Sequence, residues 1–205
     1  MRVVIVDLCL GNFRSVLKAF ERLQVPAVVS SRQEEILRAS KLVLPGVGHF
    51  KQAMENLHRK NLVDALSDSV LKRQIPILGI CLGMQMLSRW SEEGNLAGMG
   101  WLDAITTRFD HAEERRYPIP HMGWNRVEPC VDSPLFHGIE QDDEFYFAHS
   151  YHLVCPTERS VLATTTYGIR FPSAVRVDNI WGVQFHPEKS HRAGLKVLEN
   201  FCCRV

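Results

Sequence analysis

A cysteine lies between two glycines, each two residues away, where an apolar run gives way to helical spacing: Ile77-Leu78-Gly79-Ile80-Cys81-Leu82-Gly83-Met84-Gln85. A G-x-C-x-G segment at a strand-to-helix turn is the cysteine counterpart of the G-x-S-x-G nucleophile elbow. It confines the chain to folds in which a buried strand turns sharply into a helix. The turn holds the side chain at the strand's carboxyl end, and the glycines leave it room. The helix starts under Cys81, where its dipole favours a thiolate. The N–H of Leu82 then points to where an oxyanion would form. The same letters also suit a buried structural cysteine beside glycines that pack a strand on a helix.

The rest of the first half repeats the strand–helix rhythm. Val3 to Val6, Ala27 to Val29, Leu42 to Leu44 and Pro76 to Ile80 are short apolar runs that predict strands. Helical spacing links them: Phe13, Val16, Leu17, Phe20 and Leu23 after Gly11-Asn12, then Met54 and Leu57, Leu62 to Leu71, and Met84 to Trp90. This order predicts an α/β fold, a parallel sheet with helices on both faces. The second half changes character. Phe145 to Phe147, Val161 to Thr166, Ala174 to Val177 and Ile180 to Phe185 predict strands, the last two joined by a hairpin turn at Asp178-Asn179. A final helix is expected from Ser190 to Phe201. With no repeat, low-complexity segment or linker-like stretch, residues 1–205 read as one domain.

Composition narrows function by exclusion. Of 205 residues, 24 are Lys or Arg and 23 are Asp or Glu, a formal net charge of +1. A basic footprint for nucleic acid or an anionic membrane is therefore absent. The Arg115-Arg116 pair follows Glu113 and Glu114 and reads as part of a solvated loop over 110–116. No apolar run approaches the ~20 residues of a membrane span. The N-terminus passes from Arg2 into a β-branched run with no small-residue cleavage site, so a cytoplasmic chain is expected. The six cysteines, at 9, 81, 130, 155, 202 and 203, lie far apart or directly adjacent. No C-x-x-C spacing occurs, and a chain this long buries an apolar core without disulfides. Most are expected to be reduced and structural, which sets apart any cysteine with a special context.

Three further segments bear on chemistry. Gly182-Val183-Gln184-Phe185-His186-Pro187-Glu188-Lys189-Ser190 leaves a strand at Pro187, which removes a ladder donor. A turn here lets Glu188 hold one imidazole nitrogen of His186 while the other faces Cys81, the arrangement of nucleophile, base and orienter. An isolated H-x-E is more often a solvated surface turn. Leu44-Pro45-Gly46-Val47-Gly48-His49-Phe50 is a glycine-rich turn after a strand. It lacks both phosphate-loop patterns, G-x-x-x-x-G-K-[ST] and G-x-G-x-x-G. It can bring a second backbone N–H to the Cys81 site, or serve as an ordinary loop. His149 and His152 fall in a segment that reads as a strand, so their side chains are expected on opposite faces. Cys202-Cys203 is adjacent and terminal. Neither pair has a metal-site spacing, and no metal and no cofactor are expected.

Together these stretches resemble the class I, or triad, glutamine amidotransferases, in which a Gly-Ile-Cys-Leu-Gly-Met-Gln elbow and a His-Pro-Glu motif carry a Cys-His-Glu triad. More narrowly, the chain is similar over essentially its whole length to the glutaminase subunits of imidazole glycerol phosphate synthases. That likeness rests on Pro-His-Met-Gly-Trp-Asn from 120 and Tyr-Phe-Ala-His-Ser-Tyr from 146, beside Leu-Pro-Gly-Val-Gly from 44 and the run from Gly182 to Ser190. The resemblance implies Cys81 as nucleophile, His186 as base and Glu188 as its orienter, with the N–H groups of Leu82 and Val47 as oxyanion hole. It implies Gly48, Gln85, Glu93, His149, Ser150 and Tyr151 around the substrate L-glutamine. It also implies Trp124, with His121 and Asn12, at a partner interface. The implied fold is a central, mostly parallel sheet flanked by helices, with additional antiparallel strands in the C-terminal half. The implied activity is hydrolysis of glutamine to glutamate and ammonia through a cysteinyl thioester. The implied partner is a (β/α)8-barrel cyclase subunit of the HisF type. In the heterodimer it uses the ammonia to make imidazole glycerol phosphate and AICAR ribonucleotide in histidine biosynthesis.

The chain departs from the family pattern in one place. Asp-Tyr-Gly-x-Gly-Asn after the first strand is here Asp7-Leu8-Cys9-Leu10-Gly11-Asn12, and Cys9 is read as structural. Two other enzymes share the triad: a paralogous glutaminase for amidino-sugar synthesis, which the altered loop and the Ser190-His191 extension suit, and a stand-alone thiol hydrolase. A degenerate regulatory subunit is the non-enzyme reading, against which the intact Cys81, His186 and Glu188 argue.

Overall fold

The first strand, β1 (Val3–Val6), is buried along its whole length because its side chains feed two cores. Val3 and Ile5 pack on one face of the sheet, Val4 and Val6 on the other. A strand covered on both faces reads as a continuous apolar run. The computed structural model describes residues 2–110 and 116–205 and continues in the same manner. After β1 come α1 (Phe13–Arg22), β2 (Ala27–Ser30), α2 (Gln33–Leu37), β3 (Lys41–Gly46), α3 (Phe50–Arg59), α4 (Val63–Ser67), β4 (Ile77–Cys81) and α5 (Leu82–Met86). The short strands β5 (Trp90–Ser91), β6 (Leu96–Ala97), β7 (Ile105–Arg108), β8 (His121–Arg126) and β9 (Glu128–Pro129) follow. The chain closes with β10 (Glu144–His149), β11 (Tyr151–Val154), β12 (Val161–Tyr167), β13 (Ile169–Val177), β14 (Ile180–Val183) and α6 (His191–Cys203).

Eight strands form the central sheet in the order β2-β1-β3-β4-β14-β13-β12-β9. Pairs from β2 to β14 are parallel, and β13, β12 and β9 continue antiparallel. The parallel sheet with added antiparallel strands is as expected, and Asp178-Asn179 does turn β13 into β14. One pairing matters most for the site. β14, from the end of the chain, inserts beside β4, with Gly182 level with Gly79 and Val183 with Ile80. A four-stranded sheet, β11-β7-β5-β6, and the ladder β10-β8 stand apart from the central sheet.

The structure corrects several local expectations. The helix expected over Met84 to Trp90 stops at Met86, and Trp90 is in β5. The segment 99–102 ends it: Met99 N–H donates to Met86 O, Trp101 and Leu102 to Leu87 O, and Gly100 to Ser88 O. Those carbonyls are the orphan acceptors of a helix end, met here by tertiary contact rather than a local cap. The helix over Leu62 to Leu71 is α4 followed by a π-helical turn, Asp68–Lys72. α2 and the short strands β5, β6, β7 and β9 are too brief to show a period in sequence. The chain bends at Ser150 between β10 and β11, so His149 and His152 do not face apart. Both rings lie on Phe109, at centroid distances of 5.2 and 4.7 Å.

All six cysteines are free, but Cys9, Cys130 and Cys203 are exposed, so they are not packing residues. Cys9 occupies a turn at φ 56°, its N–H donating to Asp7 Oδ1 at 2.7 Å. Of the 110–116 loop, residues 111–115, with Glu113, Glu114 and Arg115, lie outside the described residues. Among the described residues no helix is long and apolar enough to cross a membrane.

Candidate active site

Cys81 takes φ 53° and ψ −111°, a conformation that side chains other than glycine's rarely adopt. Such strain costs about 1–3 kcal/mol and persists only where the surroundings impose it. The surroundings are the two flanking strands and α5. Glycines let α5 settle on the sheet: a Cβ on Gly83 would stand 1.7 Å from Leu44 O, and one on Gly182 would stand 2.4 Å from Met84 Cγ. Gly79 is as crowded, its Cβ position 2.8 Å from the backbone of Met84. The elbow's glycines thus serve close packing, while the positive φ falls on the cysteine itself. In register with Cys81 on β3 is Gly46, so Val47 and Leu82 each follow a member of that pair.

His186 reaches the same point from β14. Its N–H donates to Tyr146 O at 2.8 Å, and its carbonyl accepts from Ser190 Oγ at 2.6 Å. A 3-10 turn, Pro187–Lys189, then folds Glu188 back under the ring. Nδ1 of His186 lies 2.8 Å from Glu188 Oε1, with both side chains buried. Nδ1–H therefore donates to the carboxylate, which leaves Nε2 available to the neighbouring Cys81 sulfur. Burial opposes charging of this imidazole, but the sulfur and then Glu188 outweigh it and push the pKa up to about 10. The arrangement favours the charged imidazolium form of His186. Asn12 Nδ2 donates to the same Glu188 oxygen.

Cys81 and His186 open on a cavity of about 570 Å³. Val47, Gly48, Leu82, Gln85, Glu93, His149, Ser150 and Tyr151 all line it, as does Asn12. The structure thus brings every expected nucleophile, oxyanion and substrate position together. Gly48 is exposed at φ 101°, and a Cβ there would meet nothing within 4 Å, so backbone freedom rather than space is its reason. Glu93 Oε2 accepts the Phe50 N–H at 2.8 Å, which ties the wall to the start of α3. His149 is buried beside His121, and its pKa lies well below the ordinary histidine value, first through burial and then through that neighbour. Among the described residues no three His, Cys, Asp or Glu side chains gather as for a metal ion.

The expected interface residues fare differently. Trp124 is 43% exposed on β8, stacked on His191 at 4.8 Å with a 9° interplanar angle. His121 is only 2% exposed and hydrogen-bonds His149, so it is an interior residue and not an interface one. Strand alternation explains this: His121 points inward, Met122 and Trp124 outward. Asn12 belongs to the Cys81 cavity through its bond to Glu188. Sequence reasoning missed Gln184, Met122, Ala148 and Lys189. Gln184 Nε2 lies 3.5 Å from Cys81 Sγ, and the other three line the cavity. Gln184 stood inside the His-Pro-Glu segment, but nothing in that pattern marks an inward amide.

Comparison with known proteins bears on the family. The family model for glutamine amidotransferase class-I matches residues 4–205. The chain belongs to the class-I glutamine amidotransferase family. Within that class it is 43% identical over 199 residues to imidazole glycerol phosphate synthase subunit HisH 2 of Pseudomonas aeruginosa, covering 97% of this chain and 98% of that one. Identity is 44% over 200 residues with subunit HisH of Bdellovibrio bacteriovorus and 46% over 203 with subunit HisH 1 of Methanococcus maripaludis, each at 97% and 98% coverage. Among solved structures, one glutamine amidotransferase aligns with TM-score 0.74 at 20% identity, covering 97% of this chain and 98% of that one. Another, from Thermotoga maritima, aligns with TM-score 0.66 at 21% identity, with 98% and 82% coverage. At those identities the structures speak to the fold alone.

Proposed function

We infer that this chain is the glutaminase subunit of an imidazole glycerol phosphate synthase, serving as one domain over residues 1–205. The observation that carries the reading is the line from Glu188 through His186 to Cys81 at the floor of a cavity. The near-full-length likeness to HisH subunits supplies the pathway.

In this reading the Cys81 thiolate attacks the side-chain carbonyl carbon of L-glutamine, and the carbonyl π pair moves onto oxygen. The N–H groups of Val47 and Leu82 receive that oxyanion. As it collapses, the C–N bond breaks and His186 Nε2–H protonates the leaving ammonia, which leaves a γ-glutamyl thioester on Cys81. The neutral imidazole then takes a proton from water, which attacks the thioester. The second oxyanion occupies the same hole, and glutamate leaves as Cys81 regains its thiolate. Glu188 keeps Nε2 on the sulfur side throughout. Both hydrogens of the Gln85 amide meet protein acceptors, so its Oε1 is the atom it offers to substrate.

Ammonia in neutral water is largely protonated and no longer a nucleophile, so its user must be docked. The partner is a (β/α)8-barrel cyclase subunit in a cytoplasmic heterodimer, and the exposed Trp124 on β8 is its anchor on this chain. The test is glutamate production by the chain alone, with the barrel subunit, and with the barrel subunit plus its ribonucleotide substrate. Strong stimulation by the loaded partner is expected. Full activity of the isolated chain refutes the coupling.

A further inference from the structure

Gln184 directly follows β14, is fully buried, and sets its amide between the nucleophile and Gln85. An amide's two ends have nearly the same shape, so its direction is read from its neighbours. Here the neighbours leave one choice. The Tyr151 carbonyl can only accept, and Gln85 Nε2 lies 2.9 Å from it. The same nitrogen lies 3.0 Å from Gln184 Oε1. Gln85 thus directs one hydrogen to each, and Gln184 must turn its own Nε2–H groups toward Cys81 Sγ. A reversed Gln184 would set two nitrogens face to face and its carbonyl against the sulfur.

The Tyr151 carbonyl that starts this logic is itself pinned. His149 Nδ1 lies 2.7 Å from it and must donate. The neutral ring then accepts at Nε2, from His121 Nδ1–H at 3.1 Å. His121 Nε2 in turn faces Asn125 Nδ2 at 3.3 Å, which also donates to Thr166 O at 3.1 Å. A chain of directed hydrogen bonds thus runs from β8 to the nucleophile.

We propose that Gln184 is a hydrogen-bond donor to the Cys81 thiolate, and that Gln85, held by the Tyr151 carbonyl, is the positioning residue that aims it. A neutral thiol gains little from a further donor, whereas an anionic sulfur gains a charge-assisted bond. The proposal deepens, and rests on, the assignment of Cys81 as nucleophile. The titratable groups around the sulfur are His186 with Glu188 behind it, His149 at the end of β10, and Glu93, Tyr151 and Lys189 on the cavity wall. The variants below leave all of them in place.

The experiment follows carbamidomethylation of Cys81 by iodoacetamide from pH 5 to 10 on the full chain, read by peptide mapping. It needs neither glutamine nor partner, so its outcome is independent of whether glutaminase turnover is found. Gln184→Met keeps the length and removes the donor. Its midpoint is expected to rise by about one pH unit, a tenfold slower reaction below the midpoint, or about 1.4 kcal/mol. Gln85→Met leaves Gln184 intact but unaimed, and its midpoint is expected to rise by less. An unchanged midpoint in folded Gln184→Met overturns the proposal. Should that variant fail to fold, an unchanged midpoint in Gln85→Met does so.

Discussion

His186 Nδ1 meets Glu188 Oε1 at 2.8 Å although only Pro187 separates the two residues. In an extended strand such neighbours would point the same way and seldom touch end to end. The 3-10 turn at Pro187–Lys189 curls the carboxylate under the ring, and Asn12, from the far end of the chain, steadies it. The orienter is therefore placed by a local turn and a distant amide together.

Loss of each triad member is expected to cost differently. Cys81→Ala removes the nucleophile and should lower kcat by roughly 10⁵-fold or more, with His186→Ala close behind. Glu188→Ala should cost roughly 10²–10⁴-fold, because the imidazole stays but loses its direction. Steady-state glutamate production with partner present measures all three. A Glu188 variant as inactive as the Cys81 variant contradicts the ranking.

The charge on His186 depends on the sulfur. Its raised pKa means the imidazolium is held below about pH 10 and lost as pH rises through that value. In Cys81→Ala the sulfur no longer raises it, burial still lowers it, and only Glu188 opposes burial. The ring should therefore titrate at distinctly lower pH in that variant. Histidine ¹⁵N NMR of native and variant chains reads this directly, and equal midpoints would break the link between the two side chains.

Labelling should single out one of six cysteines. A glutamine-shaped electrophile, such as a γ-diazoketone analogue, has to enter the cavity that Cys81 alone among the cysteines lines. Mass mapping is expected to find the adduct on Cys81, with the exposed Cys9, Cys130 and Cys203 unmodified at equal dose. Adducts on those three without one on Cys81 overturn the assignment.

Gly83→Ala tests the packing beneath the elbow. The new methyl would start 1.7 Å from the Leu44 carbonyl oxygen, and neither backbone can yield without lifting α5 off β3. A loss of about 3 kcal/mol or more is expected. The midpoint of urea unfolding checks it, and a near-native midpoint would mean that α5 moves freely.

Trp124→Ala should spare the fold and weaken the complex. The ring is 43% exposed and its stacking partner, His191, is exposed as well. Circular dichroism and Cys81 labelling are expected to stay native while stimulation by the barrel subunit falls about tenfold or more. Unfolding of the variant would instead assign Trp124 a structural role.

Much of this protein was legible in its letters, because neighbouring residues carry local constraints. Continuous apolar runs such as Val3–Val6 announced strands covered on both faces, and the glycines around Cys81 announced a tight turn into a helix. The His-Pro-Glu turn placed base and orienter for the same reason. What depended on distant partners was not legible. The site exists because β14 inserts beside β4, a pairing of segments about a hundred residues apart that only the summed packing of two cores selects. The tertiary fold likewise stopped α5 at Met86, took His121 inside, joined Asn12 to Glu188 and aimed Gln184 at the sulfur. A polar side chain looks the same in sequence whether it meets water or a buried partner, and its neighbours in space alone decide which.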